Sequence, residues 1–420
     1  MARELVTTVR LKGAVDGSFT KSIQTVQNEL ANLAGTSRKY MSDFGERMEA
    51  KSKALGTIGA ALTDIGKKMT VGLTVPIAAA MHTTGKMAGQ WQYELQKTRS
   101  IIEANNDKSA GSFSKLKESI VKGANDSGVA IQDFTSNVYE AISANVKAGD
   151  AVKTVLQAHV LAVAGVTSDA KALDLLTTIT NAYGAKAGSL AHISDVLVQT
   201  QNRGKIKVNE LAHNMGKAIP TAQSYGVSLE QLSASYSVLT QQGISAKYAS
   251  TYITSTFSEL GKSNTKVAKA LKEETGKSFK ELMDSGMSLS QVLKIIQDHA
   301  KKTGVQFTDM FSNINASKGA AALLGHTKSL DQYTSEMVNA KGVTKRAYDE
   351  IMKSYPMLKR QMVAVLKNIA TGLGMITVTT MTPILQSFLP VVKQIATAIG
   401  NMGPGMQKFI GHILLVTAAF

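Results

Sequence analysis

The sequence predicts a mainly α-helical protein, and three observations carry that prediction. Apolar residues recur at three- and four-residue spacings along most of the 420 residues, the period of a helix with one buried face. A glycine, an apolar residue and a hydroxyl residue recur as punctuation, at Gly226-Val227-Ser228 and Gly286-Met287-Ser288. Hydrophobic residues make up 44% of the chain but aromatic residues only 5%. Small side chains therefore fill much of the core, and they allow helix axes to lie close together.

Residues 1–52 form the first predicted unit. Leu5, Val9 and Leu11 alternate weakly with polar neighbours, which predicts a short strand over 4–12. Asp16-Gly17-Ser18 reads as a turn and helix cap. Phe19, Ile23, Val26, Leu30 and Leu33 follow at spacings of four and three. That stripe predicts an amphipathic, coiled-coil-like helix with a seam for a partner helix.

Residues 53–99 form a small-residue apolar segment. No charge occurs over 69–85, and Pro76 interrupts that run. It falls short of the ~20 residues that span a bilayer, so a buried or surface-lying segment is expected. Gly85 and Gly89 have the spacing of closely packed helices, with Lys86 between them.

Residues 100–355 read as a compact domain of short antiparallel helices. In each strong joint, glycine takes the left-handed position that ends one helix. Ser228 and Ser288 then cap the next helix, and Gln231 and Gln291 are placed to complete capping boxes. Val227 with Leu232, and Met287 with Val292, have hydrophobic-staple spacing. Looser joints begin at Gly128, Gly243, Gly304 and Gly342, and Gly128-Val129-Ala130 lacks a capping side chain. Leu232, Ser235, Tyr236 and Leu239 share one helix face; Leu173, Leu176, Ile179, Thr180 and Tyr183 share another.

Residues 356–420 carry no acidic residue. The run 368–392 has no charge at all, and Gly372, Gly374, Pro383 and Pro390 are expected to break it into apolar, membrane-prone helices;. The chain stops inside a second apolar run, 409–420, which points to a truncated product.

Composition excludes several chemistries. Without cysteine there is no disulfide framework, thiolate zinc site or cysteine nucleophile;. The net charge is +16, yet only Arg3, Arg10, Arg38, Arg47, Arg99, Arg203, Arg346 and Arg360 are arginine. The rest of the positive charge is scattered lysine, a diffuse field and not a base-reading fork. No sequence-specific nucleic-acid partner is expected, although an acidic partner or anionic membrane suits such a charge.

No two of the seven histidines lie within a helical turn of each other, and the HExxH pattern is absent;. His159 reads as a core histidine. His192 and Asp195 are three apart on a predicted helix, the weak candidate for a metal or catalytic pair. Gly261-Lys262-Ser263 and Gly276-Lys277-Ser278 look like the end of a phosphate loop. Thr256 and Leu271 occupy the positions where such a loop needs its first glycine;. No catalytic, cofactor-binding or metal site is assigned, and the protein is not expected to be an enzyme.

Several stretches resemble phage tail tape measure proteins when taken together. Gly66-Lys67-Lys68-Met69-Thr70-Val71-Gly72-Leu73-Thr74-Val75-Pro76-Ile77 and Lys12-Gly13-Ala14-Val15-Asp16-Gly17-Ser18-Phe19 are similar to the front of that family. Phe134-Thr135-Ser136-Asn137-Val138-Tyr139-Glu140-Ala141-Ile142, residues 170–187, His192-Ile193-Ser194-Asp195-Val196-Leu197, residues 222–232 and Leu239-Thr240-Gln241-Gln242-Gly243-Ile244 follow in the family's order. One departure stands after Ile244. The family's Gly-Thr and arginine are replaced by Ala249-Ser250-Thr251-Tyr252-Ile253.

The resemblance implies a structural role in the lumen of the growing tail tube, where length sets the number of tube rings, and release ahead of the DNA. It implies the tail tube protein, tail assembly chaperones and baseplate or tail-tip proteins as partners, with self-association. The implied locations are the virion tail, the host cytoplasm during assembly and the host membrane on ejection. A helical pore-forming protein is the alternative that composition alone allows.

Overall fold

The computed structural model describes residues 77–400. The strand expected over 4–12, the stripe 19–33 and the apolar runs before 77 and after 400 lie outside the described residues. Within them the chain forms seventeen α-helices and three short 3-10 turns, with no strand among the described residues.

The chain divides into two compact units. One is Gln90–Thr371; the other takes in the residues before Gln90 and after Thr371. Helix α1 (Ile77–Ala104) and helix α17 (Tyr355–Gly400) each contribute to both.

The larger unit packs short helices around a buried one. Helix α9 (Leu229–Gln241) buries every residue from Leu232 to Thr240. It packs against α6 (Leu190–Arg203), α10 (Ala246–Gly261) and α15 (Thr327–Val338). Of the two predicted stripes, all four residues on α9 are buried, as are Leu173, Leu176, Ile179 and Tyr183 on α5 (Asp169–Tyr183), while Thr180 is half-buried.

Small polar residues can fill this core because many turn their hydroxyls back on their own helix. Thr177 donates to the Leu173 carbonyl at 2.9 Å, Thr200 to Val196 at 2.7 Å, Ser235 to Gln231 at 2.8 Å and Thr240 to Tyr236 at 2.8 Å. Such bonds let a buried hydroxyl escape the cost of an unmade hydrogen bond. Close approach does the rest. A Cβ on Gly319, in α14 (Ile314–Leu324), would lie 2.6 Å from Thr256 Oγ1 and 2.9 Å from the Tyr252 carbonyl oxygen of α10.

Both strong joints form. Gly226 (φ 74°) and Gly286 (φ 85°) are left-handed. Ser228 and Ser288 are N-caps accepting from the Gln231 and Gln291 amides. Only the second capping box closes, with the Ser288 amide donating to Gln291 Oε1 at 2.9 Å. Gln231 instead reaches the other joint. Its Oε1 accepts the Leu289 amide at 2.7 Å, because the starts of α9 and α13 (Leu289–Thr303) lie side by side.

Two expectations are corrected. Helix α17 is one helix, running through Gly372, Gly374, Pro383 and Pro390. Each proline costs one hydrogen bond to the carbonyl four residues back, a local loss that a helix of 46 residues absorbs. Gly374 serves contact and not breakage, since a Cβ there would lie 2.2 Å from the Thr84 carbonyl oxygen and 3.0 Å from the Ala88 Cβ. The close packing expected of Gly85 and Gly89 therefore falls to Ala88 and Gly374, and both of those glycines face open space.

Candidate functional site

Several helices of the larger unit begin at a residue whose side chain does not cap them, and four of these start at Ala130, Lys147, Lys207 and Gly342. A helix start leaves amides without partners. In each of the four, a side chain from another part of the chain supplies the acceptor.

Asn368 of α17 caps α3 (Ile131–Ser143). Its Oδ1 accepts the Ile131 amide at 2.7 Å, while its Nδ2 donates to the Val129 carbonyl at 2.9 Å and to Asn125 Oδ1 at 3.0 Å. This closes the Gly128 joint, whose Ala130 offers no capping side chain. Asp107 caps α4 (Ala148–Ala164), accepting the Ala148 amide at 2.7 Å. That bond, with those from Ser109, holds the Asp107 carboxyl below the usual carboxylate range. Gln201 accepts the Val208 amide at 3.0 Å, at the start of α7 (Val208–Asn214).

Asp195 caps α16 (Val343–Met352). Its two oxygens accept the Gly342 and Thr344 amides, each at 2.7 Å, and the residue is 5% exposed. A buried carboxylate at a helix N-terminus is favoured by the amides and by the helix dipole. Asp195 and His192 therefore do not act as a pair. His192 Nε2 lies 2.8 Å from Glu230 Oε1 on α9. His159 is buried, with Nδ1 3.1 Å from both oxygens of Asp169. Gly261 ends α10, and Gly276 and Ser278 separate two helices. Among the described residues no cluster of three or more metal-ligating side chains occurs.

The two ends of the larger unit converge on α3. Trp91 Nε1 donates to Thr135 Oγ1 at 3.0 Å, and Gln132 Nε2 donates to Thr371 Oγ1 at 2.9 Å, beside the Asn368 cap. Next to this junction an open cleft of about 580 Å³ lies between α17 and the Gly128 joint. Val129, Ala130, Val363 and Ala364 line it, with Tyr355, Pro356, Lys359, Arg360, Lys367 and Asp133.

The family model for phage-related minor tail proteins matches residues 117–325, most of the larger unit. Those residues are thus similar to the phage-related minor tail protein family. The minor tail protein match takes in α9, both strong joints and the Asp195 side chain; Asn368 lies beyond it. The chain is 26% identical over 386 residues to a probable tape measure protein of Clostridium phage phiCD119, covering 89% of this chain and 39% of that protein. It is 22% identical over 408 residues to a tape measure protein of Pneumococcus phage Dp-1, covering 95% and 34%. The chain thus spans little more than a third of the length of these relatives. No solved structure matches it.

Remote capping was not visible in the sequence. A signal existed for Asn368, a buried amide of an apolar helix in register with Ala364 and Thr371;. Asp195 gave a similar one, as the lone carboxylate in the buried run from Ile193 to Val198.

Proposed function

We infer that this chain is a tail tape measure component, a structural protein of the phage tail whose extended parts set tube length. What supports the reading is similarity along nearly the whole chain to two tape measure proteins. The proposed partners are the tail tube protein, assembly chaperones and baseplate or tail-tip proteins, with release ahead of the genome. A role at the host membrane on release would fall to the apolar C-terminal run. Among the described residues no single helix is long and apolar enough to cross a membrane.

Geometry refines how such a ruler would count. Residues 91 and 371 both attach within the first turns of α3. While Gln90–Thr371 stays folded, its many residues add almost nothing to reach. A helix advances ~1.5 Å per residue, so extended segments outside that unit, or the unit once opened, carry the length.

The test is a set of in-frame deletions in the phage, read by electron microscopy of tails. Removing about 35 residues from an extended helical segment shortens tails by about 50 Å at that rise. Deletions inside 117–325 disrupt the fold and block assembly. Assembled tails of unchanged length from the first deletion would overturn the ruler reading for that segment.

A further inference from the structure

We propose that the cleft between α17 and the Gly128 joint is a docking groove for an acidic peptide segment carrying an apolar anchor. Three observations lead there. The groove has an apolar floor, Val129 and Val363, and its Tyr355 is 76% exposed. Lys359, Arg360 and Lys367 rim it, all exposed, and none of the three side chains has an ion-pair partner among the described residues. No acidic residue follows Glu350 in the sequence, so α17 brings no counter-charge of its own. Asp133 is the one carboxylate lining the groove.

These features select the occupant. Lys359, Val363 and Lys367 stand four apart and share one face of α17. A bound segment would meet charge, apolar surface and charge in alternation, which calls for carboxylates on either side of an aliphatic side chain. A second copy of α17 would present like charges to this rim and be repelled. A concave groove suits a peptide segment better than a lipid surface, which covers convex amphipathic faces. The groove lies outside 117–325 on its α17 side, and the proposal stands whether or not the chain measures length.

The experiment uses the full chain and a fluorescein-labelled 12-residue peptide that alternates glutamate pairs with leucine. Anisotropy titrations compare it with the same peptide carrying lysine in place of glutamate. The glutamate peptide binds and the lysine peptide does not. The triple change Lys359→Glu, Arg360→Glu and Lys367→Glu weakens binding at least tenfold and lets the lysine peptide bind.

An equal change of charge elsewhere, Lys269→Glu, Lys272→Glu and Lys294→Glu, leaves affinity within threefold. Equal losses from the two triples would assign binding to the diffuse charge and overturn the groove. Circular dichroism checks the fold. If the groove triple does not fold, Tyr355→Ala serves instead: it weakens binding at least threefold, and unchanged affinity refutes the proposal. Flotation with phosphatidylserine vesicles is the last arm. Uptake that the groove changes abolish, in a chain that ignores the glutamate peptide, would make lipid the occupant and end the peptide proposal.

Discussion

Replacing Asp195 by alanine removes the acceptor for two amides at once. Each bond is 2.7 Å long and made to a charged oxygen. Bonds of that kind contribute about 1.5–3 kcal/mol each. The two amides do not fare alike after the loss. Thr344 is 2% exposed, so its amide stays buried without a partner. Gly342 is half-buried, and water can take over there. One full penalty and one partial one give an expected loss of about 3 kcal/mol.

Hydrogen exchange read by mass spectrometry on a peptide covering 343–352 is the assay. A loss of that size lowers protection roughly a hundredfold, at ~1.4 kcal/mol per factor of ten. Asp195→Asn keeps one oxygen and falls between the two. His192→Ala leaves this peptide unchanged, because the imidazole bonds to Glu230 and not to Asp195. A loss below about 1 kcal/mol for Asp195→Ala, the size of an ordinary neutral hydrogen bond, would refute the capping argument.

Three further outcomes are expected. Asn368→Ala strands the Ile131 amide and the Val129 carbonyl and costs about 2–3 kcal/mol, seen as faster exchange at the start of α3;. Asn368→Asp retains the Ile131 bond and loses both donors, so slow exchange there with reduced thermal stability is the matching result. Asp107 stabilises the fold above its unfolded pKa of about 3.9, and that contribution is lost as pH falls through its lower folded value;. Asp107→Asn abolishes this acid sensitivity, which exchange at 148–152 between pH 5 and 2 measures. Gly319→Ala forces a methyl group against Thr256 and the Tyr252 carbonyl and costs about 1–3 kcal/mol in urea unfolding;.

The helical class and the glycine–serine joints were legible because their chemistry is local. The Ser288 box needs only residues three apart, and it forms as the spacing predicts. Gln231 has the same spacing but not the same outcome, since a second helix start competes for its oxygen. The remote caps were illegible for a related reason. Asp195 and Thr344 are separated by 149 residues. The apolar neighbours of Asp195 mark it as a carboxylate that needs a partner, but nothing near it says which distant helix start it caps. Pro383 and Pro390 misled in the opposite direction, because a local breaking tendency was weighed without the length of the helix that carries it.

The convergence of both ends on α3 also decides where a pull would be felt. Tension applied through α1 and α17 enters at Trp91 and Thr371 and meets across α3. The buried α9 and the Asp195 cap lie off that line and bear no load at first. Rupture would begin by peeling α1 or α17 from α3, one side-chain bond after another, which is the low-force way to open a protein. Such a fold resists heat through its whole core but meets stretching first at Trp91, Gln132 and Asn368. Released at one point, the chain could pay out from its two ends while the centre was still packed.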